Sequence, residues 1–540
     1  MRPGSIRWIA SLAAVLLATG CEPAINVALK IIKPCDQADA LDPVGSFRFE
    51  ITGKGTPAKA SNFSRSKKSG QIPSLPLGED IKIAIKGFTG DVEKDPGVIG
   101  AAPIASGATQ PRDLVAETEQ RDYEVAVEVG KVDSFASTTD AEHGDQCTVM
   151  STPRHGHTAT YLPKVGKVLI VGGAVLDSTG NENLIGTAEL FDPATGEYTE
   201  LPEPPGGPRI YHAASALPDG RALITGGLSI INNNLSTVAT GFVYDPAKSR
   251  NPYTLVTMPS THARAHHTST LVDTGALVLL VGGCNNTSGT CTRSAANNAI
   301  KTTLIFDIAA FDKGTVTLAP GPDLPNSDPG RVFHVALPIA NGRVLVAGGS
   351  SGGASPSCTL LLFESQQRQF NPDFDDTLSA EACTSHLAGT VLADGRVLLS
   401  GGYKTLGADG APTTNAADFS HSTTIWDASQ TSRLQSGPDL LDGRAEHVLF
   451  ALPPLAGGSV PQALVVGGIT TAIATPQAER IDLEAGSATA TANRPLSLRI
   501  AMGAVVLGSG QPMLLGGIDP SASATGSTVD VGELYHPFNP

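Results

Sequence analysis

Between residues 150 and 540 the apolar positions fall into short runs, and run after run stops on a pair of glycines. Val168-Leu-Ile-Val171 precedes Gly172-Gly173, and Ala222-Leu-Ile-Thr225 precedes Gly226-Gly227. The same ending recurs at Gly282-Gly283, Gly348-Gly349, Gly401-Gly402, Gly467-Gly468 and Gly516-Gly517. A short apolar run bounded by glycine reads as a buried strand, and its return at intervals of roughly 50 to 65 residues marks a repeated supersecondary unit. Before each such strand lies another that is rich in small residues, as in Thr158-Ala159-Thr160, Ala213-Ala214-Ser215 and Ala388-Gly389-Thr390. Asp219-Gly220, Asn341-Gly342 and Asp394-Gly395 separate the two strands. These pairs tolerate positive φ, so two-residue hairpin turns are expected there. A third strand ends on a bulky apolar residue and an acid, as in Phe191-Asp192, Tyr244-Asp245, Phe306-Asp307, Phe363-Glu364, Trp426-Asp427 and Ile481-Asp482, and only Tyr535-His536 departs. Small residues on the first strand and larger ones on the second make a taper, which suits sheets set radially about an axis.

Upstream of the glycines most copies carry an arginine and, three residues later, a histidine: Arg154/His157, Arg209/His212, Arg264/His267, Arg331/His334 and Arg444/His447. His386 keeps the place without the arginine, and Arg499 is followed by Met502. This order of Arg-x-x-His, strand, turn, strand, Gly-Gly, loop and aromatic-acid resembles the Kelch repeat, the blade unit also found in the propeller of galactose oxidase-like proteins. The resemblance covers about residues 150 to 540 and implies an all-β chain with a seven-bladed propeller of four-stranded blades. After Tyr535-His536-Pro537 too little chain remains for a fourth strand, so closure has to draw one from upstream. Val132–Ala136 and Gln146–Met150 are the candidates, and either leaves the ring without an open sheet edge.

Residues 22 to 147 lack the repeat. Alternation in Ser46–Ile51, Ile81–Lys86 and Tyr123–Val129 predicts strands with one buried and one wet face. With their Gly/Pro-rich connectors these suggest a small β-sandwich, and the polar, basic stretch Ser61 to Gly70 reads as a mobile loop.

At the start of the chain, Arg2 and Arg7 precede an uncharged apolar run from Trp8 to Ala18, followed by Thr-Gly-Cys21. The run is too short to span a bilayer and has the charge order of a secretory signal. Its end resembles the bacterial lipobox, which implies cleavage before Cys21, lipid on that cysteine and a membrane anchor. Glu22 in place of aspartate points to the outer membrane. The organisation expected is therefore a signal peptide over 1–21, a sandwich-like domain and linker over 22–147, and a propeller over 148–540.

Seven cysteines less a lipidated Cys21 leave six, in a compartment that permits disulfides. Cys284 and Cys291 bracket one loop, Cys358 and Cys383 flank a third strand, and Cys35 with Cys147 remain. No Cys-x-x-Cys spacing suggests metal. With 59 glycines, 39 prolines and 16% charged residues the composition agrees with an exported all-β protein, and a formal charge of -15 argues against nucleic-acid partners.

No nucleophile triad, phosphate loop or zinc-binding helix is present, so no catalytic residue, cofactor or metal is assigned. The repeat histidines read first as packing groups. The arginines Arg154, Arg209, Arg264 and Arg331 either hold an acidic ligand or pair with the blade acids. The loops after Gly-Gly at 284–302 and 403–424 are longer than the others, and loops sharing one rim of a rigid scaffold form a recognition face. Asn285, Asn286, Arg293, Tyr403 and Lys404 are its candidate contacts. The reading is a lipid-anchored module that binds protein or carbohydrate, serving adhesion or envelope assembly. The alternative is a galactose oxidase-like copper enzyme, or a sugar-processing one, acting at the propeller axis.

Overall fold

A computed structural model of the chain describes residues 6–8, 24–25, 27–66, 75–76, 78–114, 123–142, 146–272, 275–285, 291–292, 296–325, 327–353, 355–408, 410–412, 415–454, 459–470, 478–522 and 526–538. Within them, strands of the repeat pair antiparallel in chain order. In blade 1 the order is Thr158–Leu162, Lys167–Val171, Ala188–Asp192 and Glu197–Leu201. Six more four-stranded sheets follow, starting at Ala213–Ala216, Thr268–Leu271, Val335–Ile339, Ala388–Val391, Val448–Leu452 and Gly503–Val506. These first strands neighbour one another around an axis, and that of blade 7 returns to that of blade 1. The protein is a seven-bladed β-propeller.

Apolar side chains of the middle strands hold each blade to the next. Leu169 and Val171 of blade 1 pack with Ile224 and Phe242 of blade 2, and the same kind of layer recurs round the ring. It ends where Met513 and Leu515 of blade 7 meet Val168 and Ile170 of blade 1. Each such side chain, fully buried, contributes about 1.5–3 kcal/mol, so the ring is held mainly by these seams.

Blade 7 is completed from upstream. Ser134–Ser137 runs antiparallel to Gly532–His536, with Phe135 opposite Tyr535 and Ser137 opposite Glu533. Of the two stretches weighed for closure, the one at 132–136 makes it, while 146–150 contributes only a bridge from Val149 to Val531. Three disulfides join Cys35 to Cys147, Cys284 to Cys291 and Cys358 to Cys383.

The N-terminal region packs two sheets face to face. One holds Val27–Ile32 between Ile6–Trp8 and Tyr123–Glu128. The other is built around the hairpin Ser46–Lys54 and Thr56–Ser64 with Gly78–Phe88. Phe47, Phe49, Ile83 and Ile85 meet Leu29, Ile31, Val125 and Val127 in the shared core. Residues 61–64 therefore belong to a strand and not to a loop, because Phe63 pairs opposite Phe47 and packs on Phe49. Cleavage before Cys21 would remove Ile6–Trp8 and leave Val27–Ile32 held from one side. No helix among the described residues is long and apolar enough to cross a membrane.

A further local expectation is corrected. The Asp-Gly turns are three-residue loops: Leu217 and Leu392 accept from Gly220 and Gly395, and donate to Arg221 and Arg396. Only the glycine takes positive φ, while Asp219 and Asp394 accept the backbone N–H two residues on, at 3.0 and 3.1 Å. This is the type I turn plus left-handed residue that suits a longer hairpin. The acids at third-strand ends do similar work, since Asp192, Asp245, Asp427 and Asp482 each accept a backbone N–H from the turn that follows. Blade 7 has no such turn. Its His536 is fully buried against the N-terminal domain, donating from Nδ1 to the Ser106 carbonyl at 2.9 Å with Nε2 3.5 Å from Glu128.

Candidate functional site

The repeat motif builds the hub in two steps. Within a blade, the arginine reaches up to the first glycine: Arg154, Arg209, Arg264, Arg331, Arg444 and Arg499 donate to the carbonyls of Gly172, Gly226, Gly282, Gly348, Gly467 and Gly516. In blade 5 the Thr384 hydroxyl does this for Gly401 at 2.7 Å. Between blades, the second glycine donates its N–H to the carbonyl of the next arginine, as from Gly173 to Arg209, Gly283 to Arg331 and Gly517 to Arg154. Both glycines sit at positive φ, and a Cβ on the first would lie 2.3–2.5 Å from the carbonyl oxygen of the next arginine in six of the seven copies. Glycine is thus required by the approach of the neighbouring blade.

The histidines are staples across the same seam. Nε2 of His212, His267, His334 and His447 meets the hydroxyl of Thr158, Thr225, Thr268 and Ser400 in the preceding blade at 2.8–3.0 Å. Burial first, and the nearby guanidinium second, lower the pKa of His212, His334 and His447 to about 3. In blade 5 the staple position is filled by Leu387, which lies against Gly348. His386 is one residue earlier than its spacing suggested.

That earlier position is the site. The residue before each staple, Gly156, Tyr211, His266, Phe333, His386, Glu446 and Ala501, has φ between 51° and 61°. Aromatic and acidic residues seldom adopt this conformation, and it persists where surroundings over-determine it. Here a ring of backbone bonds does so: Tyr211 donates to Gly156, His266 to Tyr211, His386 to Phe333, Glu446 to His386 and Gly156 to Ala501. The side chains are thereby turned to the axis. Tyr211 stacks on His266 at 4.4 Å, His266 meets Phe333 edge-on at 4.9 Å, and Phe333 stacks on His386 at 3.9 Å.

Beside them at the axis lies a cavity of about 250 Å³, lined by Gly156, Tyr211, His266, His386, Glu446 and Ala501 together with the staples His157, His212, His267 and Met502. Tyr211 donates to Glu182 at 2.6 Å, and Tyr403 to Glu446 at 3.3 Å. Burial lowers His266 and His386 to about 3, so both are neutral at physiological pH. His386 is 7% exposed and its Nε2 has no hydrogen-bond partner. The size suits one small ring, being just below the roughly 300–1,000 Å³ of drug-sized pockets.

The candidate contacts fall elsewhere. Arg154, Arg209, Arg264 and Arg331 are at most 2% exposed and are engaged with the scaffold, so they are unavailable to an acidic ligand. Their acids are not the strand-end ones: Arg154 pairs with Glu189, Arg331 with Asp328, Arg444 with Glu479 and Arg499 with Glu533. Asn285 is bonded to Asn298 within its own loop, and Lys404 is paired with Glu381 at 3.0 Å. Tyr403 is 1% exposed and supports the hub from behind. Asn286, Arg293 and Cys21 lie outside the described residues. The hub residues were hidden in the motif's variable third place, where glycine and alanine in two copies give way to aromatic rings and an acid in the others.

A copper centre of the galactose oxidase type does not fit the residues present. It needs a tyrosine joined to a cysteine, whereas the six cysteines from Cys35 onward are disulfide-bonded and both hub tyrosines donate to carboxylates. Among the described residues no three His, Cys, Asp or Glu side chains are grouped to hold a metal ion.

No family model and no curated protein matches the chain. Among solved structures, YjhT aligns with 64% of this chain and 99% of its own at 15% identity and a TM-score of 0.43. A fungal alcohol oxidase of the AA5 family, in complex with copper, aligns with 72% of this chain and 76% of its own at 16% identity and a TM-score of 0.49.

Proposed function

We propose that this is an exported, lipid-anchored binding protein whose propeller receives one small hydroxylated ring, a carbohydrate unit, at the hub. The observation that carries it is the arc of Tyr211, His266 and His386 around a cavity, held at positive φ, with Phe333 packed between the two imidazoles. Aromatic faces stack on the C–H face of a sugar, while carboxylate and imidazole groups accept its hydroxyls. On this reading the longer loops at 284–302 and 403–424 take up the rest of a glycan or the protein that bears it. Export and anchoring are supported by the N-terminal pattern and by three disulfides.

Titration calorimetry against a panel of monosaccharides and glycans tests the hub. Wild type is expected to bind at least one, and Tyr211→Ala to weaken it by about tenfold or more, the loss of roughly 1.4 kcal/mol of stacking. Binding that is indifferent to Tyr211→Ala, while the variant keeps its fold, removes the hub from the proposal. Anchoring has a separate test: the wild type is expected in the membrane fraction, and Cys21→Ser in the soluble one. Equal partition of the two would refute the anchor.

A further inference from the structure

Resting on that reading of the hub, we infer that its preferred ligand is a hydroxylated ring bearing a protonated amine, with amino sugars as the simplest members. The wall offers acceptors and aromatic faces in preference to donors. In His266 the Thr292 backbone takes one ring nitrogen in a bond that favours protonation, and so is made by a carbonyl. Nε2 has no partner, so Nδ1 carries the hydrogen and Nε2 is left as an acceptor. Glu446 adds carboxylate oxygens, already receiving the Tyr403 hydroxyl, and Glu182 stands behind Tyr211.

Donors with positive charge are scarce in the same space. No lysine or arginine lines the cavity among the described residues. The repeat arginines turn away to the glycine carbonyls, and Glu189, Asp328, Glu479 and Glu533 neutralise four of them. An ammonium group within about 6 Å of aromatic faces gains from their quadrupoles, more so in a desolvated cleft. The formal charge of -15 on the whole chain favours the approach of a cation and opposes that of an anionic sugar.

The test compares D-glucosamine, D-glucose and D-glucuronate at pH 6.5, where the hub imidazoles remain neutral and the amine is charged. Glucosamine is expected to bind wild type about tenfold more tightly than glucose, with glucuronate weakest. Glu446→Gln and Tyr211→Leu should each lower the ratio of glucosamine to glucose affinity, whatever they do to glucose alone. Equal affinity for glucosamine and glucose overturns this inference and leaves the carbohydrate reading standing. A preference that survives both substitutions also overturns it, since the charge would then be read elsewhere. Failure of every sugar to bind overturns the parent reading as well.

Discussion

Acidification from pH 7 to pH 4 is expected to cost the propeller most of its stability. The staples His212, His334 and His447 titrate near 3 when folded, and His157 and His267 lie well below the usual imidazole range, with burial the main cause throughout. In the unfolded chain the same groups take up protons near pH 6.5. Between those limits the unfolded state binds more protons, so stability is fully present above pH 6.5 and falls as the pH drops towards 3. Each histidine contributes a slope of about 1.4 kcal/mol per pH unit in that window, and five of them acting together rival the roughly 5–15 kcal/mol that a domain has. Urea unfolding followed by circular dichroism at pH 7, 6, 5 and 4 measures the slope. His447→Met, which places at this seam the residue blade 7 itself uses, should reduce it by about one proton. An unfolding midpoint unchanged down to pH 4, or a variant with the wild-type slope, would show that the staples do not hold the ring in this way.

Gly282→Ala is the second large effect, expected to cost roughly 3–5 kcal/mol, and Gly282→Val more. The backbone there has φ of 56°, and a Cβ would lie 2.3 Å from the Arg331 carbonyl oxygen and 3.1 Å from Cε1 of His334. Relief requires blade 4 to move off blade 3, which stretches the bond from Gly283 to Arg331, 2.7 Å long. Gly486→Ala is the control. It has φ of 67° but nothing within 4 Å, so it bears only the conformational part, about 1–2 kcal/mol. Thermal unfolding of the two variants should differ clearly. Were Gly282→Ala as mild as Gly486→Ala, the glycine pairs would be serving the chain's own turn and not the contact between blades.

The propeller was legible because its seams demand glycine twice per blade, a requirement that few other residues meet. The small first strands, the Val/Leu/Ile-rich second strands and the missing last strand each said something about radial sheets, and these cues agreed. The hub was not legible for the opposite reason. Tyr211, His266, Phe333, His386 and Glu446 occupy a backbone conformation that their side chains disfavour, so propensity gave no hint that the chain bends there. Spacing also misled in blade 5, because Leu387 replaces the staple and His386 then falls at a plausible distance from the glycines. The arginine partners were missed since Glu189, Glu479 and Glu533 lie three residues before the strand-end position, where alternation alone gives no reason to prefer them.

The bridge from Cys35 to Cys147 closes a loop that holds the sandwich strands after Val27–Ile32 and the closing strand Ser134–Ser137. A chain tethered at Cys21 and gripped at the hub would be pulled from both ends. The load would run from the tether to Cys35, across the sulfur bond to Cys147 and straight into blade 1. The hydrogen bonds that shut the ring lie on a slack side branch. They would feel the strain only after that covalent link was reduced, so the redox state of one cystine would set how hard the assembly can be tugged before it opens.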